Sequence, residues 1–114
     1  MVKENIYVPE QGDIIFMDYE KGTTGHEQVG RRSGLVVSSK MINNFVGICF
    51  LCPITNTDRG LPFQVNITKN KTTGVIMCEQ MKSYDFKKRK AKFVEKINNF
   101  ELEETLEILR GFLL

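Results

Sequence analysis

Phe63-Gln64-Val65-Asn66-Ile67 alternates apolar and polar side chains without a break. Successive side chains of a strand point to opposite faces, so this period of two marks a strand buried on one side only. The flanking sequence extends the same reading in both directions. Upstream, Val46 to Cys52 is apolar except for Gly47. Pro53 is expected to end that run, because proline cannot donate to a sheet ladder. Leu35-Val36-Val37 reads as a short buried strand, and Ile14 to Tyr19 as a β-prone run entered through the turn Gln11-Gly12-Asp13. Downstream, Val75-Ile76-Met77-Cys78, entered through Gly74, and Lys92-Phe93-Val94-Glu95 bring the set to five or six strands. Residues 21–30 hold Gly22, Thr23, Thr24, Gly25 and Gly30 with few large apolar groups, the composition of a long loop.

The period changes at the end of the chain. Leu102, Leu106, Leu109 and Leu113 recur at steps of four, three and four, with Ile108 and Phe112 widening the stripe. That is an amphipathic helix, which Asn98 or Asn99 can cap, with Glu101, Glu103 and Glu104 near its positive end. The expected fold class is therefore mainly β (α+β): a small, strongly curved antiparallel barrel with a C-terminal amphipathic helix packed on it. The 114 residues suit one domain spanning 1–114.

No apolar run approaches 18 residues, and Met1-Val2-Lys3-Glu4-Asn5 lacks an apolar secretory segment, so the expected location is the cytoplasm. Three cysteines, an odd number, fit a reducing compartment better than a disulfide framework. The net charge of +2 conceals a strong local asymmetry. Residues 1–81 balance to zero, whereas residues 82–96 carry seven basic side chains against Asp85 and Glu95, and residues 97–114 carry Arg110 against four glutamates. A local basic segment attracts polyanions even on a nearly neutral protein, although a lysine-rich solvated loop reads the same way in isolation.

Two arginines, Arg31 and Arg32, stand just before the strand Leu35-Val36-Val37. Arginine suits phosphate recognition because its planar fork donates to two oxygens and stays charged. The two arginines belong to a longer pattern: Gly12-Asp13-Ile14, then Glu27-Gln28-Val29-Gly30-Arg31-Arg32, then Leu35-Val36-Val37-Ser38. That pattern resembles the opening of the MazF/PemK toxin family. Pro53-Ile54-Thr55 with Gly60-Leu61-Pro62-Phe63, Gly74-Val75-Ile76, and Glu79-Gln80-Met81-Lys82-Ser83 match further blocks in order, and the closing helix fits. The resemblance spans about residues 7 to 114; one departure is Ser33, where the family usually has proline.

The resemblance implies an SH3-like, CcdB/MazF-like barrel, a homodimer, and a sequence-specific endoribonuclease toxin held in check by a MazE-like antitoxin. The implied substrate is single-stranded RNA, whose 2′-hydroxyl attacks the adjacent phosphorus to leave a 2′,3′-cyclic phosphate and a 5′-hydroxyl. The nucleophile belongs to the substrate, so neither metal nor other cofactor is expected. By the motif, Arg32 and Thr55 form the catalytic pair, and Glu27 is a better base than an arginine whose pKa exceeds about 12. Gln28, Arg31, Gln80, Lys82 and Ser83 are expected on the substrate side, with a buried structural amide as the competing reading of Gln80. His26, the only histidine, titrates in a useful range but is not demanded by the family pattern. Arg31, Arg32, Lys82 and Lys87 to Lys90 would also receive an acidic antitoxin tail.

Cys49-Phe50-Leu51-Cys52 has the spacing of a metal or redox pair. On a strand, however, positions i and i+3 face opposite ways, so the two thiols are expected to serve as small buried hydrophobes. Two other functions stay in competition. A gyrase poison of the CcdB type shares the fold but relies on a C-terminal Trp-Gly-Ile, whereas this chain has no tryptophan. A non-catalytic SH3-like nucleic-acid-binding module would bind RNA through the basic segment without forming product.

Overall fold

The computed structural model describes residues 6–19 and 30–114, with side chains described for all of these except 19, 30 and 31. The elements in chain order are β1 (Asp13–Tyr19), β2 (Gly30–Val36), α1 (Lys40–Val46), β3 (Cys49–Thr55), β4 (Gln64–Ile67), β5 (Gly74–Met77), β6 (Lys82–Tyr84), β7 (Lys92–Lys96) and α2 (Asn99–Gly111). The strand pairings among the described residues are all antiparallel, along the path β4-β5-β3-β2-β1-β7 with β6 also on β3. The mainly β fold with a C-terminal helix is the one expected; its ladder has two ends, at β4 and β7, and is not closed among the described residues.

The alternation of β4 is realised, with Val65 and Ile67 buried and Asn66 exposed. The sheet buries apolar side chains on both faces. Ile14, Leu35, Cys52, Ile54, Val65, Ile67, Ile76 and Cys78 form one cluster, on which Leu102, Leu106, Ile108 and Leu109 of α2 pack. Ile15, Met17, Val36, Cys49, Leu51 and Phe86 form the other. Each fully buried aliphatic side chain contributes about 1.5–3 kcal/mol. Cys49 and Cys52 do face opposite ways, one in each cluster. Burial pushes the Cys49 thiol up to about 12, and a thiol hydrogen bond to Cys78 together with burial holds Cys52 well above its ordinary range.

Three expectations are corrected. First, Pro53 does not end β3, which runs through it to Thr55. The Val37 N–H donates to the Phe50 carbonyl at 2.9 Å, which makes Gly34 and Pro53 a non-hydrogen-bonded pair of the β2–β3 ladder. The proline nitrogen then faces the other edge, at the gap where β3 passes from β6 (Cys49–Leu51) to β5 (Ile54–Thr55), and no ladder bond is lost. Second, Val46 belongs to α1 rather than to a strand. Its helix exposes Met41, Ile42, Phe45 and Val46, so it shows no buried apolar stripe in sequence. Asn43, fully buried, holds it by donating to the Pro9 and Ser38 carbonyls and accepting from the Ser38 hydroxyl. Third, the stripe of α2 stops short: Phe112 and Leu113 lie beyond the helix and are exposed. Asn98 is the cap, its side chain accepting from the Glu101 N–H.

Candidate RNA-cleaving site

The two arginines lie inside β2, not ahead of it. Arg32 is opposite Met17 on β1, and Arg31 opposite Asp18. The strand ladder thus fixes the backbone at 32, which the absent proline would otherwise help to do; Ser33 is paired with Phe16. The β2–β3 register runs Gly34↔Pro53, Leu35↔Cys52, Val36↔Leu51. The pairing stops at Gly34↔Pro53, and Arg32 and Thr55 each lie two residues beyond that pair on neighbouring strands.

Arg32 is half-buried in the wall of an open cleft of about 340 Å³ that Phe16, Ser33, Ile54, Asn56 and Thr73 complete. Thr55, half-buried at the end of β3, accepts a hydrogen bond from the Thr57 N–H at 3.2 Å through its hydroxyl oxygen. Its hydroxyl hydrogen has no acceptor among the described residues, so Thr55 can donate to an incoming oxygen. Gly74 holds the opposite side close. Its φ is +134°, and a Cβ there would lie 2.7 Å from the Thr55 carbonyl oxygen and 2.8 Å from Ile54. Only glycine permits this approach.

The other expected residues are distributed unevenly. Gln80, Lys82 and Ser83 are all exposed, which removes the buried-amide reading of Gln80. Lys82 and Ser83 lie on β6 opposite Leu51 and Phe50, so they border the far half of β3, about 13 Å along the strand from Thr55. Glu27, Gln28 and His26, with most of the expected loop 21–30, lie outside the described residues, as does the side chain of Arg31. Among the described residues no three His, Cys, Asp or Glu side chains come together as a metal site.

The basic segment is brought to the same end of the sheet as Arg32. Phe86 anchors it in the core, and the Arg89 carbonyl accepts from the Asp18 N–H at 2.8 Å, next to the Asp18–Arg31 pair. The Asp85 carboxylate accepts from the Lys88 N–H, folding 85–91 into a tight turn with Lys90 at φ 54°. Lys87 and Lys88 are left exposed at its tip.

Residues 10–113 match the model of the PemK-like, MazF-like toxins of type II toxin–antitoxin systems. The chain belongs to this family. It is 39% identical over 85 residues to the endoribonuclease toxin MazF of Escherichia coli K12, covering 75% of this chain and 76% of that one. It is 31% identical over 102 residues to the endoribonuclease PemK of E. coli, covering 85% and 76%. In three dimensions it is similar to MazF from Deinococcus radiodurans, both in its complex with MazE (TM-score 0.85, 30% identity, 95% of this chain and 97% of that one) and alone (TM-score 0.83, 30% identity, 95% and 98%).

For a PemK/MazF-like chain, sequence reasoning missed Phe16, Asn56 and Thr73. Asn56 adjoins the motif residue Thr55 and was within reach of that clue. Phe16 has no mark of its own within the β-prone run Ile14 to Tyr19, and it is 36% exposed. Thr73 carried no sequence signal, since only the β4–β5 hairpin brings it to Arg32.

Proposed function

We propose that this PemK/MazF-like toxin is a sequence-specific endoribonuclease that cuts single-stranded RNA in the Arg32 cleft, without a metal. The observation that carries the reading is Arg32 in the wall of an open, polar cleft lined also by Ile54 and Asn56, the neighbours of Thr55, whose hydroxyl hydrogen has no acceptor among the described residues. Single strands suit it because their bases can be splayed out, whereas the base edges of duplex RNA are hard to reach.

In the proposed reaction Glu27 takes the proton of the ribose 2′-hydroxyl, and the 2′-oxygen forms a bond to phosphorus. The bond from phosphorus to the 5′-oxygen breaks, and that oxygen takes a proton from solvent, to which Glu27 returns the one it took. The products are a 2′,3′-cyclic phosphate and a 5′-hydroxyl. Arg32 spreads its fixed charge over the non-bridging oxygens as they become more negative, and Thr55 donates a hydrogen bond to one of them. Gln28, Arg31, Gln80, Lys82 and Ser83 hold the strand on either side, and Lys87 and Lys88 continue the positive surface.

The whole chain 1–114 acts as one domain, as a homodimer, in the cytoplasm; among the described residues no helix is long and apolar enough to cross a membrane. A MazE-like antitoxin with an acidic tail competes with RNA for the positive surface, and such tails suit folding upon binding. Incubation with a long single-stranded RNA in EDTA, with the cleavage ends mapped, tests the reading. Fragments carrying 2′,3′-cyclic phosphate, absent with Arg32→Ala, are expected; intact RNA, or cleavage indifferent to that substitution, refutes it.

A further inference from the structure

Thr68-Lys69-Asn70-Lys71-Thr72-Thr73, which joins β4 to β5, is short of apolar groups that could hold it in place. It is instead held by polar side chains from a different part of the chain. Glu95, on β7, accepts from the Thr72 N–H and the Thr72 hydroxyl, each at 2.6 Å, and from the Asn70 side-chain amide at 3.0 Å. Asn70 in turn donates to the Lys96 carbonyl at 2.7 Å and accepts from the Asn98 N–H and side chain, both at 3.0 Å. Glu101, buried at the start of α2, accepts from the Thr68 N–H at 3.0 Å and its hydroxyl at 2.6 Å.

Two consequences follow for the cleft. The loop leaves this brace at Thr72, and the next residue, Thr73, lines the cleft with Arg32. One residue later Gly74 passes against the Thr55 carbonyl with no space for a side chain. Thr73 is therefore clamped from both sides, by Glu95 through Thr72 and by Thr55 through Gly74. Its own exposed hydroxyl has no partner among the described residues, unlike those of Thr68 and Thr72.

We propose that Glu95 is a positioning residue of the cleft: it braces the 68–73 loop so that the Thr73 hydroxyl meets a phosphate of the bound RNA beside Arg32. The inference rests on the RNA-cleaving reading above and adds a second wall to it. Donation from four groups keeps the Glu95 carboxylate charged, with its pKa held down at about 2 by Asn70 and Thr72 in the main, so the brace is fully formed at neutral pH. Glutamine at 95 keeps the shape. It replaces one acceptor oxygen with an NH₂ group, which faces the Thr72 or Asn70 donors and cannot accept from them.

The test compares the full-length protein with Glu95→Gln, Thr73→Val and the double variant, on a short RNA containing a mapped cleavage site. The expected result is a five- to twenty-fold rise in KM for each single variant with kcat within about twofold. A misplaced or missing phosphate contact weakens binding, whereas partial unfolding lowers kcat by removing active enzyme, so KM reports on the loop. The double variant is expected to be no worse than the worse single one, because both remove the same contact. Hydrogen exchange at the Thr72 and Thr73 amides is expected to quicken in Glu95→Gln alone. An unchanged KM in either single variant, or effects that multiply in the double variant, overturn the proposal while leaving RNA cleavage standing. Failure of the wild-type protein to cut RNA at all overturns the underlying reading instead.

Discussion

Two polar regions of this molecule use the same residue types in opposite ways. At the corner between β7, the 68–73 loop and the start of α2, Glu95, Asn70, Asn98 and Glu101 spend their hydrogen-bonding capacity on one another and on the backbone. At the cleft, Arg32, Asn56 and Thr73 stand around open space with Thr55 next to Asn56, and Thr55 and Thr73 keep hydroxyl hydrogens uncommitted among the described residues. The difference separates architecture from function. Saturated polar groups fix a shape, and unsaturated ones wait for a ligand. The corner holds one wall of the cleft, so the free groups depend on the saturated ones for their aim.

Substitutions can break this contrast, and the largest effect is expected at Arg32. Arg32→Ala should lower kcat/KM for RNA by about 10²–10³ while leaving the thermal midpoint nearly unchanged; single-turnover cleavage and a melting curve on the same sample check both halves. A saturated group should show the reverse. Asn43→Ala strands the buried Pro9 carbonyl and takes the acceptor from the Ser38 hydroxyl, and about 1–3 kcal/mol of stability should be lost in urea unfolding, with KM unchanged. Thr55→Val falls between, with roughly a tenfold loss of kcat if its hydroxyl donates only to the reacting phosphate. A concurrent fall in stability would show that its bond from Thr57 also matters.

Acid should act on the corner before the cleft. Glu95 has a folded pKa of about 2 against an ordinary 4.5, and hydrogen bonds from Thr68 and Asn98 also lower Glu101 against the raising effect of its burial. A depressed carboxylate contributes stability that is complete above its unfolded pKa and is lost as pH falls through the folded one. The thermal midpoint should therefore drop between about pH 4.5 and pH 2, and Glu95→Gln should flatten part of that slope. The smallest effect is expected at the basic turn. Replacing Lys87 or Lys88 with alanine should reduce the slope of log affinity against log salt by about 0.7 per phosphate contact removed, as read by filter binding of a 2′-deoxy oligonucleotide. A slope that stays fixed places the RNA elsewhere.

The strands with a buried face were legible because burial writes its period into the sequence. β4 alternates, and β5 and the first turns of α2 show their apolar positions directly. β6 was not legible, since Lys82-Ser83-Tyr84 is mostly exposed and is a strand only because β3 offers it an edge. The helix α1 was hidden for a similar reason: a buried asparagine and the Ser39 and Gly47 caps, not an apolar face, secure it. Part of the proposed site was nominated by residue type and spacing, above all Arg32 and Thr55, and the structure places Arg32 in the cleft wall. The family blocks also proved partly architectural. Gly12 takes φ +95°, and Asp13 is buried, accepting from Tyr7 and paired with Lys96 at 2.7 Å.

By itself the sequence determined the class of the protein: a small, mainly β chain with a terminal amphipathic helix, a basic segment, and the spaced motifs of a PemK/MazF-like toxin. These are properties of local pattern, and local pattern survives without coordinates. Only the tertiary structure decided which residues share the cleft. Strand pairing put Arg32 and Thr55 on neighbouring strands, a loop 41 positions after Arg32 supplied Thr73, and a carboxylate 22 positions beyond that holds the loop through Thr72. Hydrogen bonds and strand pairings join residues by distance in space, and a linear sequence records no such distance.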